Sequence, residues 1–226
     1  MKILVIAAHP DDEVLGCGGT MARLTREGHE VHIAILGEGA TSRHETREQA
    51  NEKSLLHLTQ CARDAAAILG VENVEFFGLP DNRFDTVPML EVTKIIEGLL
   101  KKYQPSEIYT QHGGDLNIDH QITFRATLTA TRPMVDQTVR AVYAYEVPSS
   151  TEWAFNKFAP AFTPNIFHDI TDTLELKIQA MQKYSSESRA FPHPRSPEAL
   201  RAIATRSGSV VGVTAAESFE LVRLIR

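Results

Sequence analysis

The residues with the clearest potential for chemistry lie near the start of the chain, in Ala8-His-Pro-Asp-Asp-Glu13. This segment places one imidazole and three carboxylates within five residues, and carboxylates this close repel one another unless a cation joins them. Histidine nitrogen with aspartate oxygen is a donor set that suits zinc or another divalent transition metal. Taken alone, the segment has an equally good interpretation as a solvated surface loop in which Asp12 caps the next helix.

A second polar segment, His112-Gly-Gly-Asp-Leu-Asn-Ile-Asp-His120, follows a later apolar run. A catalytic zinc ion takes three protein ligands and leaves one position open for water. His9 and Asp12 from the first segment, with His120 from the second, would supply such a set. The competing interpretation is that Asp119 is an ordinary N-cap and His120 an ordinary first-turn residue.

The elements around these segments alternate between strand and helix. Apolar runs predict strands at residues 2–8, 30–36, 74–77, 107–111 and 141–146. Helical spacing predicts helices at 20–27, at 89–103, at 119–131, at 173–184, at 197–206 and in a segment ending near residue 69. This alternation is typical of an α/β protein with a Rossmann-like, doubly wound, mostly parallel sheet flanked by helices. Both polar segments would then meet in the crevice at the carboxyl ends of the strands.

The chain is predicted to form a single domain over residues 1–226, with its last third packed on the same sheet. The glycine-rich segment at residues 16–19 is predicted as a turn. It lacks the G-x-G-x-x-G spacing of dinucleotide-binding loops, so NAD binding is not expected.

The composition indicates an ordinary soluble protein, with 42% hydrophobic and 23% charged residues. A net charge of −6 and the absence of a basic run argue against nucleic acid as a partner. No apolar stretch approaches the roughly 18 residues of a membrane span. Cys17 and Cys61 are too few for a disulfide framework, so we expect a cytoplasmic protein.

With these segments, the chain resembles the LmbE-like, or PIG-L, family of zinc-dependent N-acetylglucosaminyl deacetylases. The family's first motif, His-Pro-Asp-Asp-Glu after the first strand, is intact, and Asp119-His120 matches the end of its second motif. Weaker matches are Leu79-Pro80-Asp81, the series Lys177, Ala180 and Tyr184, and Ala216-Glu217-Ser-Phe219. The resemblance implies a small N-acetylated sugar-like substrate, one Zn²⁺ per chain with Fe²⁺ as the alternative, and a possible homo-oligomer.

The resemblance also implies residue roles. His9, Asp12 and His120 would bind the metal, and Asp11 would be the general base. Many family members carry a histidine where this chain has Asn117, which can donate a hydrogen bond to an oxyanion but cannot titrate.

Asp11 could return its proton to the leaving amine, or another group could donate one. His193 and His112 are the candidates, and for His193 a solvated surface position is the simpler interpretation.

Substrate contacts are predicted for Arg47, Arg63, Asp81 and Trp153, although ion pairing or packing explains each of them as well. Two other functions stay open from the residues. One is a metal-free nucleotide- or sugar-binding α/β protein, and the other is a zinc hydrolase that acts on a different amide or ester.

Overall fold

The predicted alternation of strand and helix is present in the computed structural model, which describes residues 1–39 and 52–226. The strands are β1 Lys2–Ala7, β2 Glu30–Gly37, β3 Asn73–Leu79, β4 Glu107–Gln111, β5 Ala141–Tyr145, β6 Ile166–Asp169 and β7 Ala216–Leu224. The helices are α1 Asp12–Arg26, α2 Glu52–Ile68, α3 Met89–Tyr103, α4 Ile118–Ala130, α5 Leu174–Lys183 and α6 Pro197–Val211.

All seven strands belong to one sheet, in the order β3-β2-β1-β4-β5-β7-β6. Strands β1 to β5 are parallel, whereas β7 runs antiparallel to β5 and to β6. The strand order reverses between β1 and β4, where Ile3 pairs with Glu107. In open α/β sheets, ligands bind outside the carboxyl ends of the strands at such a reversal. The predicted doubly wound, mostly parallel fold is confirmed.

Strand β1 is apolar from Ile3 to Ala7 because both of its faces are covered there. Ile3, Val5 and Ala7 pack in one core cluster with side chains of α1, α2 and α5. Leu4 and Ile6 pack in a second cluster with side chains of α3 and α4. A strand buried on both sides reads as a continuous hydrophobic run, as expected for the centre of a parallel sheet.

The last third of the chain contributes two strands that were not predicted. β6 and β7 are antiparallel and extend the sheet beyond β5. β6 is only partly buried and β7 is fully buried over its first four residues alone, so neither reads as a continuous apolar run like that of β1. Among the helices that the structure describes, none has the length and apolar character needed to cross a membrane.

The glycine-rich segment predicted as a turn lies inside helix α1, which begins at Asp12 rather than near residue 20. The helix is kinked at Cys17, whose φ of −143° is not helical. Gly16 is required by close packing, since a Cβ added there would lie 2.1 Å from a ring carbon of Tyr145. The Tyr145 hydroxyl reaches across to donate to the Ile6 carbonyl at 2.9 Å.

A buried ion pair satisfies the backbone groups that the kink exposes. Glu217 accepts hydrogen bonds from the N–H groups of Gly19 at 3.0 Å and Thr20 at 2.7 Å. Lys177 donates to the Leu15 carbonyl at 2.8 Å and to Glu217 at 2.6 Å. The negative charge of Glu217 thus lies at the N-terminal end of the second half of α1, and the positive charge of Lys177 lies at the C-terminal end of the first half. Both positions are the ones that the helix dipole favours. The chain's C-terminal third therefore supports the helix that begins with Asp12.

We expect Gly16→Ala to destabilise the protein by about 1–3 kcal/mol, because the added methyl group overpacks against Tyr145. Gly98→Ala is the matched control: Gly98 lies in helix α3 with no atom within 4 Å of an added Cβ, and the change should stabilise by roughly 0.5–1 kcal/mol. Urea unfolding measures both. Equal effects of the two substitutions would contradict the packing argument.

Candidate metal site and adjoining cleft

A polar cleft of about 140 Å³ opens at the carboxyl edge of the sheet, beside the reversal of strand order. Loops after strands β1 to β5 supply its walls, together with the segment between α5 and α6. The lining residues are His9, Pro10, Asp11, Asp12, Gly39, Asp81, Asn82, Asn117, His120, Ser149, Ser150, Glu187 and Arg195. The cleft has room for several water molecules or part of a small polar ligand.

Three predicted metal ligands converge on one side of this cleft. Oδ2 of Asp12 lies 3.4 Å from Nδ1 of His9 and 3.3 Å from Nε2 of His120. All three donor atoms lie within 4.8 Å of one another. The His120 ring is buried, and its nitrogens face Asp12 and Asp115 at 3.3 and 3.2 Å without making a hydrogen bond of good geometry to any described residue. A buried imidazole without a hydrogen-bond partner is costly in a protein interior, and a metal ion bound to Nε2 would satisfy it. The residues fit a metal ion.

Each histidine of this group has a carboxylate on its far side. Nε2 of His9 lies 2.9 Å from Asp119 Oδ2, and Nδ1 of His120 lies 3.2 Å from Asp115 Oδ1. Asp115 is fixed in turn by the hydroxyl of Thr151, which donates to Oδ2 at 2.6 Å. Ser150 donates to its other oxygen. Such outer carboxylates orient metal-binding imidazoles and raise their basicity.

A second group of donors, His9 with Asp81 and Asp119, also lies within 4.8 Å. The oxygens of Asp119 already accept hydrogen bonds from the backbone N–H groups of Asn82 at 2.6 Å and Phe84 at 2.9 Å. The group centred on Asp12 offers two imidazole nitrogens and one carboxylate, whereas this second group offers one imidazole and two carboxylates. Catalytic zinc sites are rich in histidine, so the donor set favours the group centred on Asp12.

The charges of the site shift the pKa values of its members. Burial opposes protonation of His9, but hydrogen bonds to Asp119 and Asp12 outweigh it and raise the His9 pKa well above its usual value. Burial is likewise outweighed at His120, where the charges of Asp12 and Asp115 raise the pKa to about 9. In Asp12, burial is outweighed by His120 and His9, which hold its pKa well below the usual range. A divalent cation would replace these protons as the counter-charge.

Asp11 lies beside this group but faces different neighbours. Burial raises its pKa well above the usual value, and the Arg195 guanidinium, 2.7 Å from Oδ2, opposes that shift. Its backbone has a φ of 102°, a left-handed conformation that is uncommon for a residue with a side chain. Burial also raises the pKa of Glu13 to about 7, although the Tyr184 hydroxyl donates to its Oε1 at 2.5 Å.

Asn117 lines the cleft but also has a structural role. It is the N-cap of helix α4, with Oδ1 accepting from the Asp119 N–H at 2.8 Å. Its Nδ2 donates to Asn82 Oδ1 at 3.0 Å. Asp119, predicted as the cap, lies instead in the first turn. The oxyanion contact predicted for Asn117 stays a prediction, with one amide hydrogen left to make it.

The two candidate proton donors lie outside the ring of cleft-lining residues. Nδ1 of His193 accepts a hydrogen bond from the Arg195 N–H at 3.2 Å, and its ring meets the edge of Trp153 at 5.7 Å between centroids. The ring nitrogens of His112 lie 2.8 Å from a Glu220 oxygen and 2.8 Å from the Pro160 carbonyl. His112 therefore links the loop after β4 to strand β7 and to the segment at Pro160. The catalytic role of His193 stays a prediction.

The predicted substrate contacts separate into three groups. Asp81 lines the cleft, 3.2 Å from Nε2 of His9. Trp153 is 41% exposed beside His193, near the cleft residues Ser149 and Ser150. Arg63 lies over the ring of Phe76 and borders a separate groove, which gives a substrate role no support. Arg47 lies outside the described residues.

Sequence reasoning missed several residues that build the site. Arg195, Glu187 and Ser149 reach the cleft from segments that follow β5 and α5, and Gln111 donates to Asp12 Oδ2 at 3.1 Å. Arg195 lies two residues after the predicted proton donor His193, in the proline-rich stretch Phe191-Pro-His-Pro-Arg195. Nothing in the sequence indicated which side chain of that stretch points inward.

The sequence profile of the PIG-L family, described as GlcNAc-PI de-N-acetylase, matches residues 4–131. An Escherichia coli protein described as uncharacterized deacetylase YaiS is 27% identical over 190 residues, covering 81% of this chain and 90% of that protein. Diacetylchitobiose deacetylase of Thermococcus kodakarensis is 25% identical over 234 residues, covering 98% of this chain and 83% of that enzyme.

Solved structures share the whole fold. N,N'-diacetylchitobiose deacetylase from Pyrococcus horikoshii superposes with a TM-score of 0.78 at 23% identity, covering 98% of this chain and 84% of that chain. GalB, the 4-carboxy-2-hydroxymuconate hydratase of Pseudomonas putida, superposes with a TM-score of 0.78 at 22% identity, covering 100% and 98%. At this level of identity the likeness shows a common fold, which hosts more than one reaction.

We expect the protein, purified without chelator, to contain about one metal ion per chain, the loading of a site with three protein ligands. His120→Ala should lose it, because a ligand is removed. His57→Ala is the matched control, since His57 is exposed on helix α2. Elemental analysis measures all three proteins. Full metal content in His120→Ala would contradict the proposed ligand set.

We expect Asn117→Ala to destabilise the protein by about 1 kcal/mol, because helix α4 loses its N-cap. Asn117→Asp should keep most of that stability, since a carboxylate oxygen also accepts from the Asp119 N–H. Thermal unfolding compares the two variants. Equal melting temperatures for wild type and Asn117→Ala would exclude a stabilising cap.

Proposed function

Because the chain belongs to the PIG-L family, we propose that it is a zinc-dependent hydrolase that removes an N-acetyl group from a small N-acetylated sugar or aminosugar conjugate. One observation carries the proposal: Asp12 Oδ2 faces two histidine nitrogens at 3.3 and 3.4 Å while a second carboxylate, Asp11, stands beside them. The named relatives support the bond that is cleaved, since they are described as deacetylases.

Zinc is the ion that the donor set fits best. His9, His120 and Asp12 would hold it, and two imidazoles with one carboxylate are a ligand set found in catalytic zinc sites. When bound, a zinc ion supplies a Lewis acid that polarises the acetyl carbonyl and acidifies a water molecule. Iron(II) accepts the same nitrogen and oxygen donors and is the alternative ion.

Asp11 is the general base of the proposed reaction. It is buried and lines the cleft, and it is the carboxylate next to the ligand Asp12. Asp11 takes a proton from the attacking water as oxygen bonds to the acetyl carbon. The carbon–nitrogen bond then breaks, and the proton held by Asp11 passes to the leaving amine. Water and amide are thereby converted to acetic acid, which ionises to acetate, and a free amine, with Asp11 returned to its starting state.

The walls of the cleft fit a polyhydroxylated ligand. Asn82, Asn117, Ser149 and Ser150 present amides and hydroxyls toward it. Asp81 adds a carboxylate that can accept from a sugar hydroxyl. These groups support a sugar-like substrate. A metal-free binding protein is disfavoured, because simple binding needs neither two histidines and an aspartate with converging donor atoms nor a second carboxylate beside them.

We place the protein in the cytoplasm, where a deacetylase of small soluble conjugates would meet its substrate. Cys17 and Cys61 are both buried free thiols, which agrees with a reducing compartment. A homo-oligomer stays a prediction from the family resemblance.

We expect Asp11→Asn to lower kcat for acetate release by about 10²–10⁴-fold, the usual contribution of a general base, while metal content stays at the wild-type level. Acetate is measured with N-acetylglucosamine, diacetylchitobiose and N-acetylglucosaminyl conjugates as substrates. Asp64→Asn, an exposed aspartate on helix α2, is the control. Wild-type protein with full metal that releases acetate from no N-acetyl sugar, yet hydrolyses an ester or another amide, would overturn the substrate assignment.

A further inference from the structure

Arg195 is the feature of the cleft that the reaction described above leaves without a role. It comes from the segment between α5 and α6, and its side chain is 22% exposed. Nη1 donates to Asp11 Oδ2 at 2.7 Å and lies 3.5 Å from a Glu187 oxygen. Nε donates to the Ser149 hydroxyl at 2.7 Å. Ser149 and Glu187 therefore fix the guanidinium in the position from which it donates to Asp11.

Asp11 is anchored through one carboxylate oxygen only. Its Oδ2 accepts from Arg195, whereas its Oδ1 accepts no hydrogen bond from any described residue. The backbone is anchored separately, since the Asp11 N–H donates to Glu13 Oε2 at 3.0 Å. Glu13 is fixed in turn by the Tyr184 hydroxyl. One oxygen of a buried carboxylate is thus left free in the cleft.

A general base needs this asymmetry. An aspartate carboxylate rotates easily about its last bond, because that torsion has broad minima. A charge-assisted hydrogen bond to one oxygen restricts the rotation and directs the other oxygen toward the proton to be removed. Misplacement of a catalytic group by about 1 Å can cost roughly 10²-fold in rate.

We propose that Arg195 is a positioning residue for the general base: it anchors Oδ2 of Asp11 so that Oδ1 faces the attacking water. This inference rests on the proposed deacetylase function. Arg195, Glu187 and Tyr184 all lie beyond residue 131, where the match to the family profile ends. The base is therefore held by a part of the chain that the profile does not cover.

The test compares Arg195→Gln and Arg195→Lys with wild type in steady-state acetate release. Arg195→Gln should lower kcat by about 100-fold, with KM changed less than about twofold and metal content unchanged. Arg195→Lys keeps the charge beside Asp11 and Glu187 and should recover part of kcat. Arg201→Gln is the matched control, because Arg201 pairs with exposed Glu175 on the outer surface. A rise in KM with unchanged kcat would assign Arg195 to substrate binding and overturn the proposal.

A second measurement does not depend on turnover. A double-mutant cycle of Arg195→Gln and Asp11→Asn in urea unfolding tests whether the two side chains hold each other. We expect the double variant to be less destabilised than the sum of the single variants. Additive effects would overturn the proposal. Failure of wild-type protein to release acetate would instead contradict the proposed function, and the cycle would still decide whether Arg195 anchors Asp11.

Discussion

Negative charge buried at one edge of the sheet is the constraint on which the rest of the site depends. Seven buried carboxylates gather there: Asp11, Asp12, Glu13, Asp81, Asp115, Asp119 and Glu187. In a medium of low dielectric constant such groups repel strongly, so each needs hydrogen bonds or a cation. Backbone N–H groups stabilise Asp119, hydroxyls stabilise Asp115, and a guanidinium stabilises Asp11. The charge left around Asp12 is what a bound divalent ion would neutralise.

The surroundings of the adjacent residues Asp11 and Asp12 shift the pKa values of their carboxyl groups in opposite directions. Two histidines hold the pKa of Asp12 low, against the effect of burial, as suits a metal ligand that stays ionised. Burial raises the pKa of Asp11, as suits a group that accepts a proton. Environments that separate the pKa values of neighbouring carboxylates are a physical basis for assigning a ligand and a base.

The position of this pair depends on elements far apart in the chain. β1 and β4 are neighbours where strand order reverses, so the loops that follow them carry His9 and His120 to one place. Helix α1 begins at Asp12, and its kink is stabilised by Lys177 and Glu217 from the last third of the chain. The C-terminal third is therefore part of the site's support.

The sequence by itself determined the α/β class and most strand and helix positions, because apolar periodicity is a local signal. It also determined the convergence of His9, Asp12 and His120, because these residues follow parallel strands whose carboxyl ends lie at one edge of the sheet. It did not determine that α1 runs through the glycines, since Gly16 packs against Tyr145 and Gly19 against Ile170, both from distant parts of the chain. Nor did it identify β6, β7 or Arg195. Those features depend on contacts between distant parts of the chain. Strand β7 forms by pairing with β5 and β6, and Arg195 points inward because it binds the buried carboxylate of Asp11.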